Sequence, residues 1–397
     1  MTAVAGMTAV SGMTAVSARR PQLGVDFHVW DGIFQGSRSH LLGLYRAAIR
    51  QAPDIDFVFF LDGVQSLRAA HPEFAAPNVR LVRMPQRPAL WRLAWQLPWL
   101  QHHHRLDVLH LQYRLPFIRL PFARRVATAC TIHDVLFETH PQYFSRFFTW
   151  QSRITFRQAA RRADVLCTVS QFSRDELVRL YGVPPQHIAV TCNGVDFARF
   201  YPGSDGLAQV QALGLVPGAY LLTVGRLEPR KNHAALVRAY ALLPPDTPPL
   251  VIVGQRDFSY GALFDEITRL GLAGRVRHID NVADAALPAL LRHAAVFVYP
   301  AFAEGFGMPV AEAMASGVPV ITSNTTALPE VAGPGALLVQ PGADADLAQA
   351  MARVLVDTAL CQRLVAAGLV HVRQFDWAVS AAVLLAAVRR QLAGVTS

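Results

Sequence analysis

Two cations, Arg226 and Lys231, lie in the octapeptide 225–232 (GRLEPRKN), directly after an apolar run. Lys231 is the only lysine among 37 lysine and arginine residues. A lysine ammonium is a compact point charge for phosphate, and a planar guanidinium does not always replace it. Two cations at a strand-to-helix turn predict a clamp for a diphosphate, with a solvated basic loop as the alternative. The following helix is predicted over 232–243, with Asn232 as its cap.

Two carboxylates, Glu304 and Glu312, flank a second loop, which contains Gly305, Phe306 and Gly307. This loop also follows an apolar run, and its glycines allow backbone amides to approach a ligand closely. A helix is predicted to begin after Gly307, with Glu312 in its first turn, so that its N-terminal amides face an anion or a sugar hydroxyl. Carboxylates accept hydrogen bonds from sugar and ribose hydroxyls. For Glu312 alone, interaction with the helix dipole is the alternative.

The first half of the chain contributes two further polar segments. His133 and Asp134 end a predicted buried strand and are expected to project into a cleft, although a histidine satisfied near the domain surface is the alternative. The loop 32–40 precedes an apolar helix, and Gly36 at a helix N-terminus forms a turn suited to an anion.

The elements that must position these residues are short apolar runs alternating with longer helical segments. The runs are mostly continuous in Val, Ile, Leu and Phe, as in strands buried on both faces of a parallel sheet. The fold class is therefore α/β, with two doubly wound, Rossmann-like domains that face each other across a cleft. The predicted strands are 56–61, 79–83, 107–111, 126–132, 164–170 and 188–192, followed by 219–224, 250–254, 276–279, 296–299, 318–322 and 336–339.

Turn residues without apolar periodicity at 193–204 mark the boundary between the two series. We predict an N-terminal domain at 19–200, a C-terminal domain at 201–376, and a final helix within 377–397. Residues 1–18 repeat a hexapeptide three times and are predicted to be a disordered extension, since they lack the charged and apolar regions of a signal peptide.

Composition narrows the class of protein further. The 397 residues are 52% hydrophobic and 16% charged, which fits a globular protein and not a disordered one. No uncharged apolar run reaches the roughly 18 residues of a membrane span. The four cysteines have no metal-ligand spacing, which indicates reduced core residues of a cytoplasmic protein. The net charge is +10 over residues 1–200 and −1 over residues 201–397, so the first half is expected to meet an anionic surface.

Together these motifs resemble the retaining glycosyltransferases of GT-B family 4, which includes many bacterial mannosyltransferases. The resemblance covers residues 22–392 and is strongest at 225–232 and 304–330. It includes Thr168-Val169-Ser170, Asn193-Gly194-Val195-Asp196, Gly317-Val318-Pro319-Val320 and Leu328-Pro329-Glu330-Val331. It implies a GT-B fold, with an acceptor-side N-terminal domain and a nucleotide-sugar-binding C-terminal domain. It also implies that the final helix within 377–397 crosses back to the N-terminal domain.

The resemblance implies how the donor diphosphate is held. Arg226 and Lys231 would bind it, and Gly36 would allow the first domain to close over it. The family transfers with retention and needs no metal. The leaving phosphate helps to deprotonate the acceptor on the same face, so the clamp would stabilise charge developing on the leaving group.

The resemblance also assigns the contacts with the donor sugar. Glu304, with the amides of Gly305, Phe306 and Gly307, would bind the hexose, and Glu312 would bind the nucleotide ribose. His133 would contact the transferred sugar from the first domain. The expected catalytic residues are therefore His133, Arg226, Lys231 and Glu304. Base recognition is expected from the backbone near 281–284.

The acceptor side is less constrained by motifs. Arg38, His40 and Asp134 are the side chains expected to contact an acceptor. Segment 91–99 carries three tryptophans four residues apart, and segment 146–162 carries five arginines with aromatic residues. Such segments suit a membrane interface or, for the tryptophans, core packing, and Pro98 is expected to interrupt a continuous helix. The hypothesis is a polyprenyl-diphosphate-linked or other saccharide acceptor, with peripheral attachment to the inner face of the cytoplasmic membrane.

The predicted function is transfer of a hexose, most simply mannose from GDP-mannose, during polysaccharide or lipopolysaccharide assembly. A GT-B-like sugar-nucleotide 2-epimerase and a non-catalytic GT-B scaffold protein are the alternatives. No nucleic-acid partner is expected, since no nucleic-acid-binding motif accompanies the positive charge. No cofactor or metal is expected either: the Asp-x-Asp pairs at 54–56 and 344–346 match a metal motif of another glycosyltransferase fold but do not lie at predicted active-site ends of strands.

Overall fold

The computed structural model describes residues 19–32, 36–116, 125–280 and 282–395, so the hexapeptide repeat at 1–18 lies outside the described residues. The first half forms a parallel sheet in the order β3-β2-β1-β4-β5-β6-β7. Its strands are β1 (Gln22–Asp26), β2 (Asp56–Leu61), β3 (Val79–Arg83), β4 (Val108–Gln112), β5 (Ala127–Thr131), β6 (Val165–Thr168) and β7 (Ile188–Val190).

The second half repeats this architecture with a parallel sheet in the order β10-β9-β8-β11-β12-β13. In both sheets the order reverses beside the first strand, which is the doubly wound arrangement. The strands are β8 (Leu221–Val224), β9 (Leu250–Val253), β10 (Val276–Ile279), β11 (Val296–Tyr299), β12 (Val320–Ser323) and β13 (Ala336–Val339). All of the predicted strands are present, with ends displaced by no more than two residues.

Helices cover the faces of both sheets. In the first half they are α1 (Gly36–Gln51), α2 (Val64–Ala70), α3 (Ala89–Trp91), α4 (Leu97–His103), α5 (Leu136–Thr139), α6 (Arg146–Arg162) and α7 (Gln171–Tyr181). In the second half they are α8 (Leu207–Ala212), α9 (His233–Ala241), α10 (Gly261–Arg269), α11 (Leu287–Arg292), α12 (Met308–Ala315), α13 (Leu328–Ala332), α14 (Asp344–Val356), α15 (Thr358–His371) and α16 (Trp377–Val395).

Strand β1 was not predicted, although it is the central strand between β2 and β4. Its sequence, QLGVD, is short and carries a glycine and two polar ends, so it lacks a continuous apolar run. The glycine is required by packing: a Cβ at Gly24 would lie 2.2 Å from the side chain of Leu106. Tertiary packing therefore selects a strand that local propensity does not indicate.

The final helix, α16, packs against α1 of the first domain. Its buried residues join the core of that domain: Ala381, Leu384, Leu385, Ala387 and Val388. By length and composition alone, the helical stretch Thr358–Gly394 is apolar enough to cross a membrane. The packing of α16 into the core buries part of this stretch, and 33% of its most apolar 18 residues are buried.

The segment with three tryptophans corrects two expectations. Helices α3 and α4 are joined by a π-helical turn, Arg92–Gln96, in which Leu97 N–H donates to the carbonyl of Arg92. This wider turn accommodates Pro98, which lacks an N–H, so Pro98 does not break the helix. The tryptophans do not enter the core either, because a leucine stripe on the other face does; Trp91, Trp95 and Trp99 are 51% to 55% exposed.

The two Asp-x-Asp pairs lie at ion pairs away from the cleft motifs. Asp54 accepts hydrogen bonds from Arg389 of α16, the shorter at 2.8 Å. Asp344, at the start of α14, accepts from Arg238 of α9 at 2.6 Å.

Candidate active site

The two C-terminal motifs meet at the switch point of the second sheet. The octapeptide follows β8, the glycine loop follows β11, and these strands are neighbours at the point where the order reverses. Ligands of open α/β sheets bind beyond the strand ends at such points. The two segments are joined directly, because Phe302 N–H donates to Arg230 O at 2.9 Å and the Asn232 side-chain amide donates to Pro300 O at 3.0 Å. Asn232 occupies the N-cap position of α9, but its side chain forms this link and does not cap the helix, which corrects the predicted role.

Lys231 is partly buried at this junction, with 13% of its side chain exposed. Its Nζ donates to the hydroxyl of Tyr299 at 2.6 Å and forms an ion pair with the Glu304 carboxylate. Tyr299 donates to the same carboxylate oxygen at 2.9 Å. Burial lowers the pKa of Lys231, and Glu304 opposes that effect. A bound anion and the Glu304 carboxylate of the same domain would therefore both contact Lys231.

Arg230 is a member of this cluster that the sequence analysis did not single out. Its guanidinium lies 3.1 Å from Glu304 and donates to the carbonyl of Ala303 at 2.5 Å and to Glu228 at 2.6 Å. Burial by itself disfavours an ionised Glu304, but Arg230 and Lys231 outweigh burial and lower the pKa of Glu304 to about 2. Glu304 is therefore ionised throughout the physiological range. The sequence signal that could have identified Arg230 was its position in the same motif, next to Lys231.

The glycine loop brings the first domain into the cluster. Gly307 has a φ of +101° and immediately precedes α12, a conformation that favours glycine. A Cβ at Gly305 would lie 2.6 Å from Oδ2 of Asp134, so only glycine permits this approach. Burial raises the pKa of Asp134, although Arg230 and Lys231 act in the opposite direction. The structure thus unites Asp134 with Glu304 and Lys231 across the two domains.

His133 precedes Asp134 and stacks on the ring of Tyr113, while the ring of His40 meets it edge to face. Its ring centroid is 4.8 Å from that of His40 and 5.3 Å from that of Tyr113. Burial holds the pKa of His133 well below its usual value, so the imidazole is neutral. Its Nε2 has no hydrogen-bond partner within the described part of the chain. A buried nitrogen without a hydrogen-bond partner is uncommon in proteins.

His40 does not line the cleft. It is fully buried, and its Nδ1 lies 2.9 Å from the side-chain oxygen of Asn193. Burial lowers the pKa of His40 to about 4. Its position supports the ring of His133 from behind, which corrects the expected contact between His40 and an acceptor.

The other predicted cations have partners outside the Lys231–Glu304 cluster. Arg226 is paired with Asp257, and its side chain is 42% exposed. The Arg38 guanidinium stacks over the ring of Trp30, 4.0 Å from the centroid. Gly36 is the first residue of α1, and no described atom beyond its chain neighbours lies within 4 Å of a Cβ built there. Residues 33–35 of the same loop lie outside the described residues.

Glu312 lies in the second turn of α12 as its fifth residue, not in the first turn as predicted. Burial raises its pKa to about 8; the charge of Arg199 lowers the pKa and that of Asp284 raises it. Arg199 and Asp284 form an ion pair at 3.0 Å, and Arg38 also experiences the charge of Asp284. Glu312 is thus protonated at neutral pH and can both donate and accept hydrogen bonds. Arg199 lies three residues after the Asn193-Gly194-Val195-Asp196 segment, and that proximity was the available signal for it.

Two family models divide the chain between them. The model described as "Glycosyltransferase Family 4" matches residues 19–199, and the model described as "Glycosyl transferases group 1" matches residues 211–369. Solved structures agree on the fold. Sucrose-phosphate synthase from Thermosynechococcus elongatus is 22% identical and superimposes over 95% of this chain and 100% of its own, with a TM-score of 0.75. Anabaena HepE in complex with UDP and glucose covers 94% of this chain and 100% of its own at 21% identity, with a TM-score of 0.73.

Curated relatives define the family further. An O-antigen chain mannosyltransferase B of Escherichia coli is 33% identical over 327 residues, which is 80% of this chain and 85% of the relative. A D-inositol 3-phosphate glycosyltransferase of Actinosynnema mirum is 33% identical over 58% of each chain. The predicted family and fold class are thereby confirmed. The chain belongs to glycosyltransferase family 4, and it is a hexosyltransferase with the GT-B fold.

Proposed function

We propose that this hexosyltransferase moves mannose from GDP-mannose, with retention and without a metal, to a saccharide or lipid-linked saccharide acceptor in polysaccharide or lipopolysaccharide assembly. The observation that carries the proposal is the ionised Glu304, which lies between two cations and beside a glycine loop. This arrangement combines an acceptor for sugar hydroxyls with positive charge for a diphosphate. The choice of mannose is supported by two E. coli relatives that are named mannosyltransferases.

The described residues suggest how each part of the donor would bind. Lys231 and Arg226 would hold the diphosphate, and the amides at the start of α12 would add positive potential. Glu304 would accept hydrogen bonds from hexose hydroxyls, and the protonated Glu312 would exchange hydrogen bonds with the ribose. Neutral His133 would contact the transferred sugar through its Nε2.

In the proposed reaction, the bond between the sugar C1 and the diphosphate oxygen breaks as the acceptor oxygen bonds to C1 on the same face. The acceptor proton passes to the leaving phosphate. Charge develops on that phosphate, so preorganised cations stabilise the transition state more than the bound donor. In this proposal the protein's own cations supply the positive charge that a divalent metal would otherwise supply.

A thermal-shift panel tests the donor. We expect GDP-mannose to raise the melting temperature more than UDP-glucose, UDP-galactose or ADP-glucose, since a ligand that binds only the folded state stabilises it. EDTA in every sample removes any contribution from metal. A larger shift with UDP-glucose would indicate a different donor for the same class of reaction. The absence of a shift with every nucleotide-sugar would contradict the whole proposal.

We also propose that the protein is cytoplasmic and docks on anionic membrane, where a lipid-linked acceptor resides. Two aromatic surfaces support this: the three tryptophans of helices α3 and α4, and the face of α6 formed by Phe147, Trp150 and Ile154, which are 54% to 70% exposed. Arg114 lies between the two surfaces. Its guanidinium donates a hydrogen bond to the side chain of Gln151 in α6 at 3.3 Å, and burial and the charge of Arg92 lower its pKa. Exposed aromatics beside arginines match a headgroup layer.

Liposome flotation at low salt tests this docking surface. We expect the protein to float with phosphatidylglycerol vesicles and not with phosphatidylcholine, and replacement of Trp91, Trp95 and Trp99 by alanine to release it. Phe258→Ala is the matched control, because Phe258 is an exposed aromatic residue of the C-terminal domain. Failure of the wild type to float with anionic vesicles would contradict membrane docking, and flotation of the triple variant would contradict the surface.

A further inference from the structure

A buried set of hydrogen bonds connects helix α7 of the first domain to the glycine loop of the second. Ser170 is the N-cap of α7, and its hydroxyl accepts from Ser173 N–H at 3.0 Å. The same hydroxyl donates to the carbonyl of Gly305 at 2.7 Å. The Ser173 hydroxyl donates to that carbonyl at 3.4 Å, and both serines are fully buried.

A carboxylate of the second domain completes this connection. Glu330, in α13, accepts hydrogen bonds from Gln171 N–H at 2.9 Å and from Phe172 N–H at 3.1 Å. These are first-turn amides of α7, which otherwise lack helical partners, and a negative charge at a helix N-terminus is stabilising. Ser170, Ser173, Gly305 and Glu330 are called the clasp below. The clasp fixes the start of α7 against the glycine loop.

The clasp has a consequence for the peptide between Gly305 and Phe306. A trans peptide is planar, so its carbonyl and its N–H point in opposite directions. With the Gly305 carbonyl held by two serines of the first domain, the Phe306 N–H is turned away from them. The Phe306 side chain is buried, and its ring centroid lies 5.2 Å from that of Phe375. This packing fixes the other end of the peptide. Within the described residues this N–H makes no hydrogen bond.

The family resemblance already implies that the Phe306 amide binds the hexose. We propose that Ser170 and Ser173 are the positioning residues that hold this N–H toward a hexose hydroxyl, and that Glu330 keeps them in register across the domains. This inference rests on the proposed nucleotide-sugar donor and deepens it. Recognition of the sugar then depends on the clasp, whereas recognition of the nucleoside diphosphate by Arg226 and Lys231 does not. The Thr168-Val169-Ser170 and Leu328-Pro329-Glu330-Val331 segments acquire a physical role.

The test compares two ligands by calorimetric titration: GDP-mannose, or the nucleotide-sugar that the panel selects, and the corresponding nucleoside diphosphate. Ser170→Ala is expected to weaken binding of the nucleotide-sugar about tenfold, the usual effect of one lost hydrogen bond. Binding of the nucleoside diphosphate should change less than about twofold. Ser170→Thr, which keeps the hydroxyl, should restore much of the difference.

The matched control is Ser145→Ala. Ser145 is also an N-cap serine of the first domain, and its hydroxyl accepts from Phe148 N–H in α6 at 3.2 Å. It should lower the melting temperature as an N-cap loss does but leave both affinities unchanged. If Ser170→Ala does not fold, Ser173→Ala and Glu330→Gln provide the same comparison.

Two outcomes would overturn the clasp. One is equal weakening of both ligands by Ser170→Ala, and the other is no weakening of either. If the wild type binds no nucleotide-sugar of the panel, the donor proposal itself has failed, which the wild-type titration shows before any variant is compared.

Discussion

Replacement of Lys231 by arginine is expected to lower kcat/KM for transfer from GDP-mannose, measured as GDP release, by at least about a hundredfold. That is the usual effect of losing one preorganised donor that stabilises the transition state. The side chain of Lys231 is only 13% exposed and lies between Glu304 and Tyr299. A guanidinium keeps the charge but is larger and planar, so it cannot reach both partners and a phosphate from the same space. The loss should appear mainly in kcat if Lys231 acts on charge that develops during transfer.

Arg238→Lys is the matched control for this exchange of cations. Arg238 forms an ion pair with Asp344 at 2.6 Å and lies outside the cluster, so activity should be unchanged. The single lysine allows a second measurement, since a lysine-directed reagent can modify only Lys231 and the N-terminal amine. We expect modification to abolish transfer and nucleotide-sugar to protect against it. Full activity of Lys231→Arg would contradict the role of lysine as a point charge, although the family would stand.

Glu304→Gln is expected to reduce transfer by about two orders of magnitude while leaving affinity for GDP equal to or greater than that of the wild type. The carboxylate neutralises Lys231 and Arg230, so its removal frees positive charge for a diphosphate. The same change removes the charged acceptor for hexose hydroxyls. The first effect strengthens binding of the nucleotide, and the second weakens binding of the sugar. Titration with GDP and with GDP-mannose separates them.

Tyr299→Phe provides the comparison within the same cluster. It removes a hydroxyl that contacts Lys231 and Glu304 but keeps their ion pair. We expect a loss of less than about tenfold in transfer, as for one neutral hydrogen bond. A loss for Glu304→Gln no greater than that for Tyr299→Phe, or weaker GDP binding by Glu304→Gln, would contradict the assignment of Glu304 to the sugar.

Local pattern was sufficient for most of the architecture. Continuous apolar runs identified twelve of the thirteen described strands, because strands of a parallel sheet are buried on both faces and show this in their composition. The strand that escaped, β1, is buried by its neighbours despite a glycine and polar ends. Burial decided by neighbouring elements also made the tryptophan segment ambiguous. Two apolar stripes on one helix compete for the core, and the sequence does not say which one packs.

The sequence by itself determined the two-domain α/β class, the family and the motifs around Lys231 and Glu304, because turn chemistry and periodicity act over a few residues. Only the tertiary structure decided what those residues do to one another. Lys231 and Glu304 are 73 residues apart, and Ser170 and Gly305 are 135 apart. The low pKa of Glu304, the burial of His40 and the buried position of Arg230 all depend on such pairs. Burial and Coulomb interactions depend on distance in space, which the order of residues along a chain does not specify.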